Sequence, residues 1–301
     1  MLFNGIYTPV ITPFSEDMSI NFDAYSQQVA YLASAGVHGL MIGGTTGEYY
    51  VESIQERIQL LKTARDVAGK DIQIIFGTGS TDPRVSVELA AAAADNGADC
   101  VLIGTPPYSL PTQQELADFA LAVDKAAGLP VMLYNYPDRM GINMEAEFFE
   151  RVFDASENFV AIKESSGDIN RLHLLLNQYP ELQTACGMDD QALEFFAWGA
   201  KGWVCAGSNF LPAEHIALYQ ACVVENDFNK GRKIMAAMMP LMHVLEQGGK
   251  FIQSVKSGVS LAGRQGGLVR PPLQGLAATE EQVLAEVIQV LKNRVAEIVA
   301  G

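Results

Sequence analysis

The sequence predicts an α/β fold, a closed (β/α)8 TIM barrel followed by a C-terminal helical domain. Three observations carry that reading. Eight short β-rich runs, each followed by a helical pattern, fill the first 225 or so residues. No linker, low-complexity run or close internal repeat interrupts the rhythm. From about residue 226 the strands stop and helical segments follow, which divides the chain into a barrel over 1–225 and a helical domain over 226–301. A doubly wound open sheet shares this periodicity, which by itself does not establish closure.

The strand candidates are IYTPVI (6–11), HGLMIGG (38–44), IQIIFG (72–77), DCVLIG (99–104), PVMLYN (130–135), FVAIKE (159–164), LQTACG (182–187) and GWVCAG (202–207). Several helices between them have sharp starts. Ser53 with Glu56 and Thr112 with Glu115 fit capping boxes, in which each end of the motif satisfies the other's backbone N–H. Asp82–Pro83 sets an N-cap before a proline at the first helical position. After Thr112, Leu116, Phe119, Ala120 and Val123 recur on one helical face and predict burial there. The Met-rich stretch IMAAMMPLMHVL (234–245) reads as core or subunit interface, and Thr279 with Gln282 reads as the start of the last helix.

The chain has 301 residues, 49% of them hydrophobic, with a mean hydropathy of +0.12, enough for a large core. Charged residues make up only 18%, which argues against a disordered or coiled-coil protein. A net charge of −15 and a pI near 4.6 would repel nucleic acid and anionic membrane. A small anionic substrate would need a local cluster of positive groups. Cys100, Cys186, Cys205 and Cys222 form no CxxC pair, and reduced, largely buried thiols are expected. The opening MLFNGIYTPVITPF lacks a basic n-region, and no apolar stretch approaches a membrane span, so a soluble, cytoplasmic protein is expected.

In such barrels chemistry sits at the C-terminal ends of the strands. Those ends read GGTTGE (43–48), GTPPY (104–108), YNYPDRMG (134–141) and KESSG (163–167). Alternation along FVAIKESSG puts Ala161, Lys163 and Ser165 on one face and Val160 and Ile162 on the other, toward the helices. Lys163 then points into the barrel. Loss of water disfavours its charged form and frees an amine able to form a Schiff base with a ketone or aldehyde. A lysine snorkelling to solvent, or paired with a buried carboxylate, fits the same strand. Tyr134, also expected to point inward, suits a proton shuttle or simple packing. The GGTTGE turn offers backbone N–H groups and the Thr45 and Thr46 hydroxyls to a carboxylate. Arg139 could clamp a second carboxylate or remain a solvated loop residue. His38, His173, His215 and His243 are scattered without ligand spacing, so no metal site is expected, and no GxSxG elbow occurs.

From TPVITPF (8–14) through these strand ends to VRPPL (269–273), the chain resembles the pyruvate-dependent class I aldolases that include dihydrodipicolinate synthase and N-acetylneuraminate lyase. The resemblance implies a (β/α)8 barrel, a homotetramer built as a dimer of dimers, and no cofactor. It implies that Lys163 is the Schiff-base lysine and Tyr134 the proton-relaying tyrosine, with Thr45 and Thr46 holding the keto-acid carboxylate. Tyr108 would reach across a dimer interface to complete a Tyr–Thr–Tyr relay. Arg139 would take the carboxylate of aspartate semialdehyde, and Gly187 and Val204 would line the pyruvate pocket. The implied partners are pyruvate and an aldehyde co-substrate, as in a 4-hydroxy-tetrahydrodipicolinate synthase of lysine biosynthesis.

Three departures qualify the match. Asp138 beside Arg139 could neutralise it. Ile54, Arg57, Thr81, Val85 and Pro107 stand where some synthases bind lysine, so no lysine inhibition is expected. CGMDD (186–190) and AGSNFLP (206–212) are similar to stretches of relatives that cleave or dehydrate 2-keto-3-deoxy sugar acids. A sugar-acid aldolase or dehydratase is therefore the alternative activity, and a barrel that only binds keto acids the non-catalytic one.

Overall fold

The computed structural model describes residues 3–301. Eight parallel strands close into a barrel in the order β1 to β8: Gly5–Pro9, Gly39–Ile42, Gln73–Gly77, Cys100–Gly104, Val131–Asn135, Phe159–Glu164, Gln183–Cys186 and Gly202–Val204. β1 pairs with β8, Tyr7 lying opposite Val204, so the sheet has no open edge. The open-sheet alternative is thereby excluded.

Side-chain alternation sorts the strand residues into two cores. Tyr7, Met41, Ile75, Leu102, Met132, Tyr134, Ala161, Ala185 and Val204 fill the barrel interior. Ile6, Leu40, Ile42, Ile74, Phe76, Val101, Ile103, Leu133, Ile162 and Trp203 pack outward against the helices.

β6 breaks the simple alternation. Val131 of β5 pairs with Phe159, but the next residue, Met132, pairs with Ala161, so Val160 is an extra residue in a bulge. Val160 therefore packs against the interior core rather than facing the helices as alternation predicts. The bulge precedes the lysine, and the regular register resumes with Tyr134 opposite Lys163.

Both expected capping boxes form. Glu56 N–H donates to Ser53 Oγ (3.2 Å) and Ser53 N–H to Glu56 Oε2 (2.8 Å). Thr112 and Glu115 repeat the exchange at 2.8 and 3.3 Å. Asp82 Oδ1 accepts the Arg84 N–H at 3.0 Å ahead of the helix that Pro83 opens. Helix Gln113–Ala127 buries Leu116, Ala117, Ala120 and Val123, whereas Phe119 is only partly covered. The last helix, Ala278–Ala300, starts earlier than expected: the extended residue before it is Ala277, whose N–H donates to Glu280 Oε2 at 2.7 Å. Gln282 instead donates along the helix to Glu286.

β8 ends at Val204, because the chain turns into the short 3-10 helix Gly207–Asn209. Helices Pro212–Tyr219, Phe228–Gln247, Phe251–Leu261 and Ala278–Ala300 follow. Met235, Met238 and Met242 of the Met-rich stretch are buried in the outer core, and Met239 is exposed. All four cysteines are buried, free thiols. Among the described residues no helix is long and apolar enough to cross a membrane.

Candidate active site at the C-terminal mouth of the barrel

The strand ends converge on one pocket lined by Pro9, Thr45, Thr46, Tyr134, Tyr136, Arg139, Lys163, Gly187, Asp189, Val204, Ala206, Glu246 and Phe251. Seven of the eight residues singled out in the sequence lie here. Tyr108 does not: it is 94% exposed, in a left-handed backbone conformation (φ 74°), outside the pocket.

Lys163 is buried, and its Nζ lies 4.4 Å from the centre of the Tyr134 ring. Burial lowers its pKa, with the Asp189 carboxylate opposing the shift. A buried carboxylate does follow it in sequence, but Glu164 faces the other side of the strand. There Asn135 Nδ2 donates to Glu164 Oε2 at 2.9 Å, Ser166 N–H to Oε1 at 2.7 Å, and Arg171 Nε approaches at 3.4 Å. The Glu164 charge is engaged in pinning β6 to its neighbours, and Lys163 has no ion-pair partner among the described residues.

Burial pushes the Tyr134 phenol up, while the Thr45 and Ser165 hydroxyls beside it act in the opposite sense. Ser165 Oγ is itself buried without a hydrogen-bond partner of normal geometry. Gly187 is needed for close approach. A Cβ there would stand 2.0 Å from Ser165 Oγ and 2.8 Å from Lys163 Cε, closer than any side chain tolerates.

Thr45 and Thr46 sit in a 3-10 turn that ends at Glu48, a non-glycine residue with φ 63°. A left-handed residue of this kind costs roughly 1–2 kcal/mol, and the surroundings hold it. Glu48 is fully buried and forms an ion pair with the equally buried Lys256. Its other oxygen accepts the Arg270 N–H at 3.0 Å. Arg270 also pairs with Glu56 and donates to Val51 O at 2.7 Å. The Thr45–Thr46 turn is thus tied to the C-terminal helices and the segment between them.

Arg139 stands at the mouth with its guanidinium carbon 5.5 Å from the centre of the Tyr136 ring. Burial, which would lower its pKa, is outweighed by its hydrogen bond to Tyr136 together with charge interactions with Tyr136, Tyr134 and Tyr50. The adjacent Asp138 forms no ion pair with it. Asp189 is buried: Trp203 Nε1 and the Ala206 N–H each donate to it at 3.0 Å. Burial raises its pKa to about 6, partly offset by those bonds and by Lys163.

Several pocket residues escape a reading of the sequence. Asp189 and Ala206 lie inside stretches singled out for another reason, and Tyr136 lies one residue before Pro137 in a recognised turn. Glu246 and Phe251 come from the helical segment beyond the barrel, where no sequence signal points back to the strand ends. Among the described residues no three His, Cys, Asp or Glu side chains cluster as metal ligands.

The family model of the dihydrodipicolinate synthetase family matches residues 2–291. The chain belongs to that family. A 4-hydroxy-tetrahydrodipicolinate synthase from Exiguobacterium sp. is 35% identical, over 96% of this chain and 98% of that one. The 4-hydroxy-tetrahydrodipicolinate synthase from Methylacidiphilum fumariolicum SolV superposes with a TM-score of 0.93 at 28% identity, covering 99% of this chain and 98% of the other. A prophage protein of the same family from E. coli K12, in complex with pyruvate, gives 0.89 at 28% identity, with 97% and 99% covered. The barrel and its C-terminal helices are therefore those of dihydrodipicolinate synthetase family members along nearly the whole chain.

Proposed function

We propose that this protein is a 4-hydroxy-tetrahydrodipicolinate synthase, a class I lyase that condenses pyruvate with aspartate 4-semialdehyde for lysine biosynthesis in the cytoplasm. The observation that carries the reading is the buried, unpaired Lys163 amine beside Tyr134 in a pocket that also holds Arg139. The curated relatives of that name support it.

Neutral Lys163 attacks the keto carbon of pyruvate, whose carboxylate rests on the Thr45–Thr46 turn. Tyr134 carries protons as water leaves. The protonated imine withdraws electrons, the pyruvate methyl group loses a proton, and the resulting enamine carbon attacks the aldehyde. The amino group of the semialdehyde then closes onto the imine carbon and displaces Lys163. Gly187 and Val204 shape the pyruvate end of the pocket.

Tyr108 would join Tyr134 and Thr45 from a neighbouring copy. An aromatic side chain held 94% exposed in a left-handed conformation suits insertion into a partner's site, within a dimer of dimers.

Two stretches that favour sugar acids by resemblance have structural duties. Asp189 anchors Trp203 and Ala206, and Asn209 Nδ2 donates to Pro9 O at 2.8 Å. Neither needs a sugar hydroxyl.

The test is turnover of purified protein with pyruvate and aspartate 4-semialdehyde, alongside borohydride trapping of the pyruvate adduct on Lys163. Native-substrate turnover on the order of 1 s⁻¹ or faster is expected; trapping without turnover would redirect the search to 2-keto-3-deoxy sugar acids. Arg139→Ala should raise KM for the semialdehyde by roughly 10–100-fold and leave pyruvate trapping intact, as expected for loss of a charge-assisted clamp.

Lysine should not inhibit. Ile54, Arg57, Thr81, Val85 and Pro107 line one cleft, in which Arg57 Nη1 donates to Gly79 O at 2.8 Å and a second nitrogen to Gly77 O. That guanidinium repels an incoming ammonium. Initial rates across micromolar to millimolar lysine check this, and a saturable inhibition curve would count against it.

A further inference from the structure

Glu246 has no role in the steps above, yet it lines the same pocket as Lys163 and Arg139. It sits in the last turn of helix Phe228–Gln247, where the helix dipole disfavours an anion. No ion pair holds it among the described residues. The charged groups acting on it are Asp189 and Asp190 from the segment after β7 and Lys163 from β6, and the backbone N–H of Asp189 faces it. Burial, reinforced by the two aspartates, pushes its carboxyl up to about 8. A helix end, two like charges and a pocket that must admit carboxylate substrates all make this a costly place for an acid. A substrate that brings a cation removes that cost.

Resting on the synthase reading, we propose that Glu246 binds the ammonium group of aspartate 4-semialdehyde and takes its proton before ring closure. Arg139 and Glu246 would then hold the two charged groups of the zwitterion and leave its aldehyde for the enamine.

The proton count closes. After carbon–carbon bond formation the substrate ammonium passes one proton to the Glu246 carboxylate. The free amine adds to the protonated imine carbon, forming a carbon–nitrogen bond. A proton moves from the new nitrogen to that of Lys163. The bond to Lys163 then breaks as the ring nitrogen lone pair forms the ring C=N bond, and Lys163 leaves as neutral amine. The ring nitrogen and Glu246 each release a proton to water, which restores the site.

The experiment compares the unsubstituted protein with Glu246→Gln and Glu246→Ala. It reads borohydride-trapped pyruvate, steady-state constants for the semialdehyde, and competition by 4-oxobutanoate, the same carbon chain without the amino group. Pyruvate trapping and 4-oxobutanoate competition should stay within about twofold, while kcat/KM for the semialdehyde falls roughly 10–100-fold, as for loss of a buried charged hydrogen bond. An unchanged kcat/KM in Glu246→Gln would overturn the assignment. So would an equal loss of 4-oxobutanoate binding, since that marks general damage to the pocket. If the unsubstituted protein traps pyruvate but does not turn over the semialdehyde, the synthase reading itself fails and this inference with it.

Discussion

Lys163→Ala is expected to abolish the borohydride-trapped pyruvate adduct and to lower turnover by roughly 10⁴–10⁶-fold, the scale seen when a covalent nucleophile is removed. Among the described residues no other lysine lines the pocket, so no second lysine there can substitute. Intact-mass measurement after reduction checks the first outcome directly. An adduct still trapped on the alanine variant would move the covalent step to a different residue. Tyr134→Phe should behave differently: it keeps the amine, so the adduct still forms, but more slowly by about 10²–10⁴-fold, the range of general acid–base contributions. The pH response follows from burial. Because burial lowers the Lys163 pKa, its neutral form is populated at lower pH than for an exposed lysine. Adduct formation should therefore reach half its maximum below the pKa of 10.5 usual for lysine.

The second large effect concerns stability. Lys256→Met leaves the Glu48 carboxylate buried without its ion-pair partner, a change that costs about 3–5 kcal/mol and lowers Tm on the order of 10 °C. Burial also pushes Lys256 down to about 8, despite the Glu48 carboxylate against it, so desolvation of the ammonium outweighs its attraction to that partner. Removing both charges together should therefore hurt less than removing one. Glu48→Gln combined with Lys256→Met keeps an acceptor for the Arg270 N–H and is expected to recover most of the loss. Denaturant titration of the two single variants and the double variant measures the coupling. A Lys256→Met variant within about 1 kcal/mol of the parent would contradict the account. The single variants should also raise KM for pyruvate, because Thr45 and Thr46 lie just before Glu48 in the turn that the pair anchors.

The local parts of this architecture are legible in the sequence. The barrel rhythm shows because each strand is a short apolar run closed by glycine, proline or a polar turn. Helix starts at Ser53, Asp82 and Thr112 show because capping is local chemistry, settled within four residues. What stays hidden is non-local. The Val160 bulge depends on how β6 meets β5, so Val160 leaves the face that alternation gives it, whereas Ala161 and Lys163 keep theirs. Glu246 cannot be linked to Lys163 by spacing, since 83 positions and two strands separate them. The Glu48 ion pair is equally invisible: a glutamate ending a Gly-rich turn gives no hint of a lysine 208 residues later. At Ala277 the competition is local. Thr279 is a better cap by type, but Glu280 already satisfies the earlier N–H.

That long-range pairing bears on the order in which the protein comes into being. A ribosome has released every barrel strand once Val204 has emerged, yet Lys256 and Arg270 are still to be made. Until they arrive, a nascent barrel would carry the Glu48 carboxylate in its wall with nothing to neutralise it. Completion of the pocket wall at Thr45 and Thr46 is therefore a late event in synthesis, even though these two are among the first residues translated.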